Sequence, residues 1–510
     1  MDKRIFDTDK RIKLGIWGLG RGRNFVKACS ALNIDVVAGC DFNDHIREGF
    51  AEVCPEAKLT ANEDEFLAMD LDAVLVATFF GAHAEHSIKA LNAGKHVMCE
   101  VTSFMTPAEG VRLVEAVERS GKTYHLLENY PFMKPNMMAR KLWQEGFFGE
   151  FSYGEYDYNH DCRALSYLYI DGSPVQPGWT LHNWRSWLNS QFYCTHSLGP
   201  VMQITGLRPT RVTAFPQVVQ HPGFVQSPGG KLGSSSSLVQ MSNGGIFRNL
   251  MGGQSGDTHS RRIWGTRAAY DFSNPEACLI RTGGSGHGMP LHVKLEWPEL
   301  GEYAENVGHG GGDFWELYYF AREILTGEKG PWTIFPACDV TLTGIMAVRS
   351  EKANGAPQEV PDFRDPAVRE RYRDDDWLPP HFDTNTVLFP TGHDTKLTGR
   401  FTTVMGILYP WSSQLGGLPL YQSVLDGMKL YSMLSTDEDR MLVIKHARRL
   451  LNELPKISDA YREALEIGGA YPGSTADRTV KALLSDEESA KLLDSDGLKE
   501  TLQKWLLQEG

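Results

Sequence analysis

Tyr193 and His196 stand three residues apart in the run Tyr193-Cys194-Thr195-His196-Ser197-Leu198-Gly199-Pro200, at the start of a helix expected over 196–205. That spacing places both side chains on one helical face. A histidine with an ordinary pKa of about 6.5 accepts or donates a proton at neutral pH, so the pair is the leading candidate for acid–base chemistry. The competing reading is a hydrogen-bonded His and Tyr inside a core. Tyr156, Tyr158 and His160 occupy alternate positions of an expected strand and therefore share one face. Polar aromatic rings suit sugar rings and hydroxyls, although a half-exposed sheet face has the same pattern. Arg185, in Trp184-Arg185-Ser186-Trp187, reads as a clamp on a polar substrate group or as a surface cation–π contact. His259 follows a glycine-rich strand end. His309 opens His309-Gly310-Gly311-Gly312-Asp313, where Asp313 suits the cap of a helix expected over 313–325.

These residues need a partner that does harder chemistry, and the N-terminal stretch supplies a place for one. Residues 13–23 (Lys-Leu-Gly-Ile-Trp-Gly-Leu-Gly-Arg-Gly-Arg) read as a buried strand, a glycine turn and the opening of a helix. Glycine serves where the backbone turns tightly and where a pyrophosphate must come close, and a helix N-terminus offers free N–H groups to it. Gly18 and Gly20 take the first two positions of the dinucleotide motif and Arg23 stands at the third, with Arg21 and Gly22 between. A second apolar strand ends at Asp41, about twenty residues on, where an acid holds a ribose hydroxyl. The acid favours NAD over NADP. Thr78, Glu100 with Val101, and Asn129 follow three later apolar strands and are expected to face the cofactor. His83, near a helix start, reads as a cofactor contact or as a capping and packing residue.

The elements that carry these residues follow from periodicity. Strands expected over 72–78, 95–100 and 122–128 alternate with helices over 82–93 and 106–120, the second opened by the capping box Thr106-Pro107-Ala108-Glu109. The expectation is an α/β Rossmann domain over 1–134. An α+β substrate and oligomerisation domain is expected over 135–378, with a large open, mostly antiparallel sheet whose strands include 151–158, 211–216, 235–242 and 245–251. A linker over 379–396 and a helical C-terminal extension over 397–510 complete the chain.

Composition narrows the classes. A chain of 510 residues with 41% hydrophobic and 23% charged residues has the make-up of a globular protein of two or three domains. A net charge of −13 without a basic run argues against nucleic-acid binding. No apolar run is long enough to span a membrane, and the N-terminus lacks the apolar core of a signal peptide. The eight cysteines are scattered without metal-ligand spacing, so reduced thiols, no metal and a cytoplasmic location are expected.

The N-terminal features, with residues 83–97 (His-Ala-Glu-His-Ser-Ile-Lys-Ala-Leu-Asn-Ala-Gly-Lys-His-Val), resemble the glucose-fructose oxidoreductase/inositol dehydrogenase/MocA family over roughly residues 13–378. In the sugar dehydrogenases of that family a lysine follows the glutamate that ends the active-site strand. This chain has Glu100-Val101-Thr102 and no lysine. That departure resembles glycoside hydrolase family 109, as do Leu127-Glu128-Asn129, the Tyr193–Pro200 run and the His309–Asp313 run. The resemblance implies an NAD-dependent glycosidase acting on a small carbohydrate or glycoside. It implies oxidation at C3 to a transient 3-keto sugar, loss of the C2 proton to Tyr193 or His196, elimination of the aglycone and addition of water at C1. It also implies a homo-oligomer paired through the open sheet. The alternative is an NAD-dependent sugar or cyclitol dehydrogenase, and a third reading is a non-catalytic dinucleotide sensor.

Overall fold

The computed structural model describes residues 5–160, 163, 165, 189–216, 219, 223–225, 234–252, 259–273, 278–284, 287–379, 387–410, 416–483 and 487–509. The chain divides into two compact units. The first comprises the described residues of 1–160, 189–218 and 233–379, and the second those of 161–188, 219–232 and 380–510.

The first unit begins with a six-stranded parallel sheet: β1 (Ile12–Trp17), β2 (Ile34–Cys40), β3 (Lys58–Thr60), β4 (Ala73–Val76), β5 (His96–Glu100) and β6 (Tyr124–Leu127), in the order β3-β2-β1-β4-β5-β6. Every residue of β4 and β6 is buried, which is why these strands read as unbroken apolar runs. The order reverses between β1 and β4, so the crevice for a ligand lies at the carboxyl ends of these strands. The capping box is present: Thr106 Oγ1 accepts from the Glu109 N–H at 3.2 Å, and Glu109 Oε2 accepts from the Thr106 N–H at 3.2 Å. That helix, Pro107–Ser120, stops at Gly121, whose φ of 63° is left-handed.

The second sheet of this unit has nine strands in the order β14-β13-β12-β11-β7-β10-β9-β8-β15. They are β7 (Phe151–Asn159), β8 (Pro209–Phe215), β9 (Ser235–Met241), β10 (Ile246–Gly252), β11 (Arg261–Gly265), β12 (Ala268–Asp271), β13 (Cys278–Thr282), β14 (Met289–Val293) and β15 (Gln358–Glu359). Neighbours run antiparallel except β7 and β10, which pair in parallel with Tyr156 beside Asn249 and Tyr158 beside Met251. The parallel pair departs from the expectation for these two stretches. The chain between them passes through the Thr195–Thr205 helix and the β8–β9 pair before returning, so no hairpin joins them. Strands β11 to β14 have no counterpart in the sequence reading. Each has only four or five residues, too few for a clear alternation to show. Asp157 and Glu155 on β7 pair with Arg248 on β10 at 2.9 and 3.1 Å, while Tyr156 hydrogen-bonds a helix.

The second unit is helical. Its Asp437–Gly469 helix buries Ile444, Ala447, Leu450, Leu454, Ile457 and Tyr461 on one stripe, and helices Phe401–Leu408, Gly417–Leu430, Thr475–Leu483 and Ser495–Glu509 pack on it. Among the described residues no helix is long and apolar enough to cross a membrane.

Candidate active site

The dinucleotide turn follows β1. Gly18 sits at φ 92°, and a Cβ there would run into the Ala77 carbonyl at the end of β4. Its N–H donates to the Cys40 carbonyl at 2.8 Å. The third-glycine role belongs to Gly22 and not to Arg23. A Cβ on Gly22 would strike Ile16 Cγ2, so this glycine allows the turn to pack on β1, whereas Arg23 is exposed. Gly20 is half-buried between them. Asp41 receives the Leu19 N–H at 2.9 Å and the Asn43 N–H at 3.0 Å. A carboxylate has about four acceptor positions, so it keeps capacity for ribose hydroxyls. The turn, its closed glycine contacts and this acid fit a dinucleotide.

Arg21 turns inward instead of out to solvent. Its Nε donates to Glu100 Oε1 at 2.6 Å and its two terminal nitrogens donate to Asp313 at 3.1 Å each. Asp313 also meets His309 Nδ1 at 2.9 Å and receives Asn129 Nδ2 at 3.3 Å. Burial works to raise the Asp313 pKa, but the His309 bond and the Arg21 charge outweigh it and hold the carboxyl well below its usual range. Asp313 therefore locks three segments together. It does not cap its helix, Gly312–Thr326, whose N-cap is Gly311. One turn further along that helix lies Glu316, buried, with both carboxyl oxygens unpartnered among the described residues. Burial first, then the Asp313 and Glu100 charges, push its pKa well above the ordinary value.

His83 is a tie between strand ends. It is buried, with Nδ1 2.9 Å from the Thr102 carbonyl and Nε2 3.0 Å from the Thr78 carbonyl. Carbonyls only accept, so both ring nitrogens carry protons. Burial opposes the charge, but Cys99 and the two carbonyls overcome it and raise the pKa to about 9. The ring thus has no nitrogen left for a cofactor. Thr78 Oγ1 bonds His86 Nδ1 at 2.8 Å. Val101 and Thr102 are buried where a dehydrogenase lysine would stand, and Thr102 Oγ1 meets Thr341 Oγ1 at 3.3 Å.

Beside this edge lies an aromatic cluster. His196 is buried in the first turn of the Thr195–Thr205 helix. Its Nδ1 is 2.8 and 2.9 Å from the two carboxyl oxygens of Glu128, which is fully buried. Glu128 Oε1 also accepts from the Tyr130 N–H at 3.1 Å, and the Tyr130 carbonyl accepts from Asn136 Nδ2 at 2.7 Å. The turn after β6 is therefore pinned on both sides. Tyr130 stacks on His196, with centroids 4.4 Å apart and planes at 13°. Tyr158 and Tyr193 meet the same imidazole edge-on at 4.8 and 4.4 Å. Tyr158, Cys194 and Met251 form the buried floor. With Nδ1 held by Glu128, Nε2 is the nitrogen available for proton transfer.

The remaining candidates divide. His160 lies edge-on to Tyr158 at 5.8 Å, and His259 lies 5.8 Å from Tyr158 and 6.4 Å from Tyr130. Tyr156 does not join them: its hydroxyl donates to Asn136 Oδ1 at 3.0 Å in the core. His309 belongs to the Asp313 network instead of the cluster. Arg185 lies outside the described residues. Three participants escaped the sequence reading as site residues: Glu128, Tyr130 and Asp313. A charged residue ending the buried run before Asn129 is the signal that would have found Glu128.

Comparison with known proteins bears on the fold and the cofactor. Residues 12–127 match the family described as oxidoreductase family, NAD-binding Rossmann fold. The chain is 26% identical over 398 residues to a glycosyl hydrolase family 109 protein of Saccharopolyspora erythraea, covering 70% of this chain and 84% of that one. It is 27% identical over 400 residues to a protein of the same description from Streptomyces niveus, covering 70% and 78%. Among solved structures it resembles levoglucosan dehydrogenase in complex with NADH, with a TM-score of 0.58 and 18% identity, over 69% of this chain and all of that one. It also resembles scyllo-inositol dehydrogenase from Lactobacillus casei with NAD(H) and scyllo-inositol, with a TM-score of 0.54 and 17% identity, covering 69% of this chain and 99% of that one. The first sheet and its helices are an NAD-binding Rossmann domain, and the protein is an NAD-dependent enzyme of oxidoreductase-like fold.

Proposed function

We propose that the protein is an NAD-dependent, redox-assisted glycoside hydrolase that works through a transient 3-keto sugar and C1–C2 elimination and addition. The observation that carries this reading is the buried His196–Glu128 pair set in an aromatic cluster beside the carboxyl edge of the cofactor sheet. The similarity to proteins described as family 109 hydrolases supports the glycosidase assignment over a net dehydrogenase. Bound NAD supplies a reversible two-electron oxidant for a sugar alcohol. Once C3 is a ketone, the C2 proton is acidic. Glu128 keeps the proton on His196 Nδ1, so Nε2 takes the C2 proton while the C1–O bond breaks and the aglycone leaves with the electron pair. Tyr193 stands 4.4 Å from the imidazole, centroid to centroid, as the second proton-handling group. Tyr130 and Tyr158 fix the imidazole plane. Water then adds across C1 and C2, the electron pair taken from C3 would return there to restore the alcohol so that no net redox change results, and no pair of catalytic carboxylates is required.

The second reading, a net sugar or cyclitol dehydrogenase, shares the same imidazole, which would then take a hydroxyl proton. The fold likeness to levoglucosan dehydrogenase supports it. Nitrophenyl α- and β-glycosides, assayed with and without NAD⁺ in heavy water, separate the two. Nitrophenol release that depends on NAD⁺, with no steady rise in NADH and with deuterium at C2 of the sugar, is the expected result. Full protium at C2, together with an unchanged rate for C2-deuterated substrate, rules out the elimination route. Steady NADH accumulation with a keto sugar product favours the dehydrogenase.

A further inference from the structure

Arg261 opens β11, directly opposite Tyr156 on β7. It is 7% exposed. Two other largely buried arginines of the same unit each meet carboxylates: Arg21 meets Glu100 and Asp313, and Arg369 meets Glu118 at 2.8 Å. Arg261 differs. Among the described residues its guanidinium makes no ion pair and no side-chain hydrogen bond; only its backbone N–H donates, to Ser273 Oγ at 3.4 Å. Its neighbours are rings. The guanidinium carbon lies 5.7 Å from the centre of Tyr130 and 5.4 Å from that of Phe272. Cation–π contact replaces only part of the hydration that a buried full charge loses. The one carboxylate of the cluster, Glu128, is already held by His196 and the Tyr130 N–H.

Position gives this charge a purpose. Tyr130 neighbours both the Arg261 guanidinium, at 5.7 Å, and the His196 imidazole, at 4.4 Å between centroids, so one ring links the guanidinium to the candidate base. His259, two residues earlier in the chain, lines the same cluster. A guanidinium offers a flat fork of donors that matches an oxyanion with two parallel hydrogen bonds.

We propose that Arg261 recognises a negatively charged substituent on the sugar, so that the substrates are glycosides bearing a carboxylate, a sulfate ester or a phosphate ester. The proposal rests on reading the aromatic cluster as the sugar site. In that arrangement the sugar ring lies against the rings around His196, and its oxyanion supplies the countercharge that the described residues do not.

The test is calorimetric binding to the full chain saturated with NAD⁺. The probes are glucose and galactose, their uronates, and their 6-sulfates and 6-phosphates. At least one charged series is expected to bind tenfold or more tighter than its neutral parent, and the arms show which oxyanion is meant. Arg261→Gln should bring the charged sugar down to the affinity of the neutral one, with neutral binding unchanged, while Arg261→Lys should retain part of the preference. Equal affinity of charged and neutral sugars for the wild-type chain overturns the proposal and leaves the sugar site standing. So does a preference that survives undiminished in Arg261→Gln. Binding of no sugar at all, with NAD⁺ bound normally, overturns the sugar-site reading and this proposal together. Should Arg261→Gln fail to fold, the wild-type comparison and Arg261→Lys still decide.

Discussion

The carboxyl edge of the parallel sheet and the aromatic cluster next to it handle charge in opposite ways. At the sheet edge, Arg21, Glu100, Asp313, His309 and Asn129 bond to one another and both nitrogens of His83 are held by carbonyls, while Glu316, one turn along from Asp313, stays unpartnered among the described residues. That region spends its polar groups on holding the cofactor strands and the Gly312–Thr326 helix in register. In the cluster, a single buried carboxylate orients one imidazole by Nδ1, and rings make up the rest. The sheet-edge network ties segments together and the cluster orients one imidazole, so turnover should separate substitutions in the two regions more sharply than stability does.

The largest effect is expected at the sheet edge. Asp313→Ala removes the partner of two Arg21 bonds and leaves a buried guanidinium with Glu100 alone. Breaking a buried pair in this way costs roughly 3–5 kcal/mol of stability, to be read from denaturant unfolding. A loss below about 1 kcal/mol would place this pair with weak surface ion pairs and undo the contrast.

His196→Ala should lower turnover roughly a hundredfold or more, the usual scale for an acid–base group, and also cost stability, because it leaves the buried Glu128 carboxylate without its imidazole partner. Glu128→Gln should lower turnover less and alter its pH profile, because the amide no longer fixes the Nδ1 proton. Full activity in both variants would remove the cluster from the chemistry.

A pH effect on stability sharpens the contrast further. The His83 pKa is raised to about 9 in the folded chain from an ordinary value of 6.5. Its contribution is therefore complete below about pH 6.5 and lost as pH rises through about 9. Linkage makes that loss about 2 kcal/mol between pH 7 and 9, absent in His83→Gln. A wild-type unfolding free energy that is flat over this window, or one that rises, contradicts the imidazolium assignment.

The smallest effect belongs to Tyr156→Phe. It deletes the bond to Asn136 at a cost of about 1 kcal/mol, with turnover little changed. A large loss of turnover with normal stability would return Tyr156 to the substrate site.

Much of the scaffold was legible in the order of residues, because its signals are local. Largely apolar runs marked β1, β2, β4, β5 and β6, and Thr106 with Glu109 marked a helix start that the structure reproduces bond for bond. The three-residue spacing of Tyr193 and His196 put two rings together on one face because helical geometry is set within a single turn. Other features depend on segments far apart in sequence, and these only the tertiary structure decided. Glu128 reaches His196 across 68 residues, and Arg21 reaches Asp313 across 292. Arg21 reads as part of the dinucleotide turn until the fold brings Glu100 and Asp313 against its guanidinium. Gly22 took over from Arg23 because Ile16 sits under it, and β7 met β10 in parallel because a helix and two strands intervene. Arg261 reads as an ordinary charged residue at a strand start. That it has no countercharge among the described residues became visible once packing set it against Tyr130 and Phe272, since a partner is a property of three-dimensional neighbours and not of chain order.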